Sequence, residues 1–193
     1  MLGLKLATDP RWANIANGNL EEILTDHAYC EQKAATNAIS MIVSFGNYSD
    51  LVEAMIALAQ EELQHFAMVH AKILERGWVL GKERKDEYVI ELYNFVRKGH
   101  KRHIVLIDRL LFGAMIEARS CERFRILSEN IQDSDLAEFY RELMISEANH
   151  YTLFIGFARK YAEGEDVEKR WQEFLDYEAS IIANYGKRET MHG

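Results

Sequence analysis

Twice in this chain a glutamate and a histidine stand three residues apart: Glu62-Leu63-Gln64-His65 and Glu147-Ala148-Asn149-His150. Each pair follows a lone glutamate about thirty residues upstream, Glu31 for the first and Glu117 for the second. On a helix, a three-residue step puts both side chains on one face. The surrounding apolar residues keep the same phase. Leu51, Met55, Leu58 and Val69 share a stripe with the first pair, and Leu136, Leu143, Phe154 and Phe157 with the second. Glu31 lies with Leu24, Ala28, Ala35, Ala38 and Ile42, and Glu117 with Leu106, Leu110, Ala114, Cys121 and Phe124. A carboxylate is costly to bury without a compensating charge. The pattern therefore calls for long helices whose buried faces share a cation.

One proline and 11 glycines in 193 residues leave few interruptions to such helices. Thr8-Asp9-Pro10 opens a short N-terminal helix. Long helices are expected over about 20–45, 51–75, 101–127 and from Asp133-Ser134-Asp135 to about 162–164. Ser49-Asp50 is expected to cap the second of these. A shorter helix is expected over about 87–97, interrupted by Gly99, and a last one over about 167–185. The tail KRETMHG is expected to fray. Each half is a helix, a connection and a helix, and the long link between halves holds an extra one. The expectation is all-α: a ferritin-like four-helix bundle with a long crossover and additional short and C-terminal helices, forming one domain over 1–193.

Composition excludes several classes. The longest stretch without a charged residue, Ala34 to Ser49, is too short and too polar to cross a membrane. The N-terminal MLGLKLATDPRW lacks the apolar stretch of a signal peptide. Two cysteines, Cys30 and Cys121, cannot build a disulfide framework or a four-cysteine metal site, which points to a reducing cytoplasm. Both read as small buried hydrophobes. The net charge of −8 argues mildly against a nucleic-acid partner, although local charge matters more than the sum.

A single Glu-x-x-His on a helix is usually a solvated face. Two of them on apolar stripes, each with an upstream glutamate at matching spacing, are much harder to obtain by chance. Four glutamates and two histidines in one core would repel and take up protons unless cations joined them, and two divalent ions supply +4 against −4. Mixed carboxylate and imidazole ligation without thiolate suits iron or manganese rather than structural zinc. The stripe selects Glu117 over Glu122, which falls outside it and is expected to be solvated. Glu61 is one position off the face of Glu62. His27, one turn before Glu31, reads either as a donor to that carboxylate or as a core histidine. The alanines around Glu31, with Gly113 and Ala114 before Glu117, leave room that suits either a substrate pocket or close helix packing.

The densest basic run is Arg97-Lys98-Gly99-His100-Lys101-Arg102-His103, and Lys82, Arg84 and Lys85 form a second cluster in the same crossover. Such runs are usually solvated. In an acidic chain this one is also a plausible phosphate-binding surface.

With the ligand order Glu, Glu-x-x-His, Glu, Glu-x-x-His and the segments CEQKAA, EELQHF, IEARSCERF and SEANHYTLF, nearly the whole chain resembles the MiaE family, the tRNA 2-methylthio-N6-isopentenyladenosine hydroxylases of bacteria. The resemblance implies a non-haem di-iron monooxygenase, using two iron ions and O2 to hydroxylate an isopentenyl side chain beside the tRNA anticodon. Glu31, Glu62 and His65 would supply one half of the centre, and Glu117, Glu147 and His150 the other. Electrons would come from a separate reductase, since no flavin or nicotinamide fingerprint is present. Arg97, Lys98, Lys101 and Arg102 would contact the tRNA backbone. The alternatives are a ferritin-like ferroxidase or iron-binding protein and a manganese catalase. A rubrerythrin-like peroxidase normally adds a four-cysteine module, which two cysteines cannot build.

Overall fold

The computed structural model describes residues 2–184 and 190–192. Among these residues there are seven helices and no strand: α1 (Arg11–Gly18), α2 (Leu20–Phe45), α3 (Ser49–Glu75), α4 (Glu87–Tyr93), α5 (Arg102–Asn130), α6 (Ser134–Lys160) and α7 (Val167–Ile182). The all-α class and the four long helices follow the pattern of the sequence. Among the described residues no helix is long and apolar enough to cross a membrane.

Helix ends follow local chemistry. Asp9 accepts from the Arg11 and Trp12 backbone amides and starts α1 just beyond Pro10. Asp86, Asp133 and Asp166 cap α4, α6 and α7 with carboxylate oxygens on backbone N–H groups of the first turn. Ser49 and Asp50 differ from expectation. They form the first turn of α3, and Tyr48 precedes it without a side-chain cap. The charge of Asp50 still complements the positive end of the helix. Gly77 ends α3 at φ +73°, which a side chain would resist.

Contacts cluster into two compact units. In the first, Asn19–Lys85, α2 and α3 pack as a hairpin along their apolar stripes. The chain beyond α3 lies along α2. Tyr29 donates to the Gly81 carbonyl at 3.0 Å, and Lys33 donates to the Arg84 carbonyl at 3.1 Å. A Cβ on Gly81 would come within 3.1 Å of the Thr25 methyl group, so glycine permits this approach.

The second unit holds α1 and α4–α7. Here α5 and α6 form the hairpin, and α1, α4 and α7 also pack on α5. Nearly every residue of α5 from Leu106 to Ser128 is consequently buried, including charged ones on the side away from Glu117. Asp108 accepts from the Arg97 backbone amide and from the guanidinium groups of Arg97 and Arg170. Burial pushes the Asp108 carboxyl up, but these donors outweigh it and hold it below its ordinary value.

Glu122 corrects the expectation of a solvated side chain: it is 3% exposed. It accepts from Thr8 N at 3.0 Å and Thr8 Oγ1 at 2.7 Å, and it pairs with Arg119. The Arg119 guanidinium also donates to Glu178 and to the Leu6 carbonyl. Tyr88 donates to the same Glu178 oxygen at 3.2 Å. Arg123, fully buried, lays its guanidinium 4.2 Å from the centre of the Trp12 ring.

The tail is also more ordered than expected where it is described. Met191 is buried, and its N–H donates to Asp26 at 2.7 Å. His192 is buried, stacks on Tyr88 and lies 2.9 Å from Asp86. Residues 187–189 and 193 of the tail lie outside the described residues.

Candidate metal centre

Each unit carries one half of the ligand set expected from the sequence. On the α2–α3 hairpin, Glu31, Glu62 and His65 are all buried. Their ligand atoms lie within 4.8 Å of one another. His65 Nδ1 is 3.3 Å from Glu62 Oε2 and 3.6 Å from Glu31 Oε2. His27, fully buried, places Nε2 2.6 Å from the other Glu31 oxygen, Oε1. A carboxylate can only accept, so this His27 nitrogen donates.

The electrostatics of this cluster call for a cation. Burial alone would raise the Glu31 carboxyl, but the hydrogen bond from His27 and the nearby His65 ring outweigh it and hold Glu31 well below the usual carboxylate range. Burial pushes His65 down, yet Glu31 and Glu62 overcome this and hold its pKa up at about 10. Two buried carboxylates thus keep a positive charge beside them. A divalent cation would suit that place, with more charge and with two kinds of donor to ligate it.

On the α5–α6 hairpin, Glu117, Glu147 and His150 are likewise buried. His150 Nδ1 is 3.9 Å from both Glu117 Oε2 and Glu147 Oε1. The space beside Gly113, one turn before Glu117, is occupied by packing. A Cβ there would stand 2.9 Å from the Phe154 ring, and Phe154 is itself buried one turn beyond His150. Cys121 is a buried thiol, 3.4 Å from the Met144 carbonyl, and burial followed by the Glu117 charge raises its pKa to about 11. It stays protonated and behaves as a small hydrophobe, whereas Cys30 is half-buried. Glu61 is about half exposed, with its carboxylate 3.9 Å from His65 Nε2.

The basic run divides. Arg97 is held by Asp108 and by Glu165 at 3.0 Å, and serves to anchor the loop before α5. His103 pairs with Glu163 at 3.1 Å. Lys98, Lys101 and Arg102 are exposed, with the Lys98 ammonium 5.4 Å from the centre of the Tyr93 ring. Lys82 and Lys85 are exposed as well, while Arg84 pairs with Glu22.

A family profile described as tRNA-(MS[2]IO[6]A)-hydroxylase (MiaE) matches residues 2–193. The chain belongs to the MiaE family. A relative from Pseudomonas putida, named tRNA 2-(methylsulfanyl)-N(6)-isopentenyladenosine(37) hydroxylase, is 38% identical over 84% of this chain and 78% of its own length. A relative of the same name from Salmonella typhimurium is 35% identical over 74% of this chain, a match that spans 51% of that longer protein. Among solved structures, a protein from Synechococcus described as having aldehyde deformylating oxygenase activity is 34% identical. It aligns with a TM-score of 0.91 over 98% of this chain and 95% of that one. Both halves of the ligand set and the described helices fall within the MiaE match, so the fold is all-α and ferritin-like.

Proposed function

We propose that this chain is a non-haem di-iron monooxygenase that hydroxylates the isopentenyl side chain of 2-methylthio-N6-isopentenyladenosine in tRNA. Two iron ions are held by Glu31, Glu62, His65, Glu117, Glu147 and His150 within one ferritin-like domain over 1–193. Membership of the MiaE family carries the reading, and two buried Glu/Glu/His half-sites in one chain support it. Reduced iron bound there supplies activation of O2 for insertion of one oxygen atom into a C–H bond. One C–H bond, O2, two electrons and two protons yield C–OH and water. The electrons come from a separate reductase, and the enzyme works in the cytoplasm.

The chain's own part is placement and exclusion. Buried glutamates and histidines give mixed oxygen and nitrogen ligation, and the apolar stripes that carry them keep bulk water from the reacting group. The basic run faces the tRNA backbone. Lys98, Lys101 and Arg102 supply the exposed charge there, and Arg97 fixes the loop that presents them. The lone glutamate Glu117 stands fifteen residues into α5, about 22 Å along the axis from Arg102 at 1.5 Å per residue. That distance suits a modified base beside the metal centre with the neighbouring tRNA backbone on the basic run.

Anaerobically reduced, iron-loaded protein, mixed with O2 and tRNA carrying the prenylated adenosine, is expected to yield a nucleoside heavier by one oxygen. Absence of that product despite verified loading with two irons would overturn the reading, and metal analysis separates iron from manganese. Replacing Lys101 and Arg102 together by alanine is expected to weaken tRNA binding and lower its logarithmic salt slope by about 2, with iron content unchanged. An unchanged slope removes these residues from the interface.

A further inference from the structure

The two halves of the ligand set repeat one another in ligand order, but they differ in what stands one turn from the ligands. Four residues before the lone glutamate stands His27 in α2 and Gly113 in α5. Four residues after the histidine stands Val69 in α3 and Phe154 in α6. In the α2–α3 hairpin the histidine reaches the glutamate, with Nε2 of His27 2.6 Å from Glu31 Oε1. In the α5–α6 hairpin the Phe154 ring fills the equivalent space, and any Cβ at position 113 would meet it at 2.9–3.0 Å. One ligand carboxylate is therefore held by a hydrogen bond, and the other sits one turn from a packed aromatic ring.

We infer that His27 is a positioning residue that engages Oε1 of Glu31 and leaves Oε2 as the oxygen offered to metal, so that Glu31 ligates through one oxygen and the two iron positions are inequivalent. This inference rests on the di-iron reading above. The geometry supports it in three ways. The His27 side chain is fully buried, so its ring has little freedom to swing away from Glu31. The Glu31 oxygen facing His65 is Oε2, the one His27 does not engage. Donors that orient ligating carboxylates typically change metal affinity 10–100-fold when removed.

The test uses the full chain as wild type, His27→Leu and His27→Gln. The glutamine amide nitrogen reaches about as far along its side chain as imidazole Nε2 and can donate to the same oxygen. Each protein is titrated anaerobically with 57Fe(II), bound iron is followed by Mössbauer spectroscopy, and the urea midpoint of the metal-free form is measured. Wild type is expected to take up two irons with two distinct quadrupole doublets. His27→Leu is expected to bind one of them at least about 10-fold more weakly, with only that doublet altered. His27→Gln is expected to recover most of the affinity and the wild-type doublet pattern, whatever its urea midpoint. Two equivalent irons in wild type, unchanged binding in His27→Leu, or a glutamine variant no better than leucine would each overturn the inference. Wild type that binds no iron overturns the di-iron reading itself, so the two failures are distinguishable.

Discussion

Replacing Glu62 by glutamine is expected to remove iron from the α2–α3 half-site and to lower hydroxylation at least about a thousandfold, which is about 4 kcal/mol of transition-state stabilisation. Glutamine keeps the shape of the side chain and removes its charge. Glu62 is 1% exposed and stands 3.3 Å from His65, so the change falls on a buried carboxylate rather than on a solvated face. The stability of the metal-free protein should move little, within about 1 kcal/mol, because Glu31 still faces His65 after the Glu62 charge is gone and the crowding of two buried carboxylates is relieved. A residue present for folding would behave in the opposite way, losing stability first and activity only as a consequence. Iron per chain by elemental analysis, product by nucleoside mass spectrometry and urea unfolding of the metal-free form measure the three quantities. Full iron content in the variant would remove Glu62 from the ligand set.

Replacing Arg119 by leucine is expected to cost about 3–5 kcal/mol of unfolding free energy, the usual effect of removing one partner from a buried ion pair. Arg119 is 0% exposed and joins Glu122, Glu178 and the Leu6 carbonyl. Its loss leaves the Glu122 and Glu178 carboxylates buried without their shared cation. Thr8 can still donate to Glu122 and Tyr88 to Glu178, but neither brings positive charge. The N-terminal segment, α4 and α7 should all loosen from α5, because each is tied to it through this network. Urea denaturation monitored by helical circular dichroism reads the loss. A variant within about 1 kcal/mol of wild type would mean that the network is replaceable by apolar packing, as some buried ion pairs are.

The burial of the six proposed ligands was legible because each lies in phase with apolar residues on its own helix. Leu58, Glu62, His65 and Val69 are all buried on one stripe of α3, as the three- and four-residue steps require. The same periodicity misread Glu122. It falls off the Glu117 stripe, and a charged residue off the stripe reads as solvated. What buries it is Thr8, far away in sequence, together with Arg119. No local period carries that information. The partners of Arg97 were hidden for a related reason. It sits in the densest basic run of the chain, and the Asp108 and Glu165 that engage its charge lie 11 and 68 residues away. The pairing of Arg119 and Glu122 at a three-residue step was the one local hint that the outer face of α5 is a network rather than a surface.

By itself the sequence determined the four long helices, the faces they bury and the side chains those faces would offer to a metal. These depend on helical geometry, which repeats every 3.6 residues and is written within each segment. Tertiary structure alone decided which charges off those faces are buried, that His27 engages Glu31 through Nε2, and that Phe154 fills the space left by Gly113. Those outcomes depend on which side chains the packed chain brings within hydrogen-bond or van der Waals reach, and that reach is set by packing rather than by period.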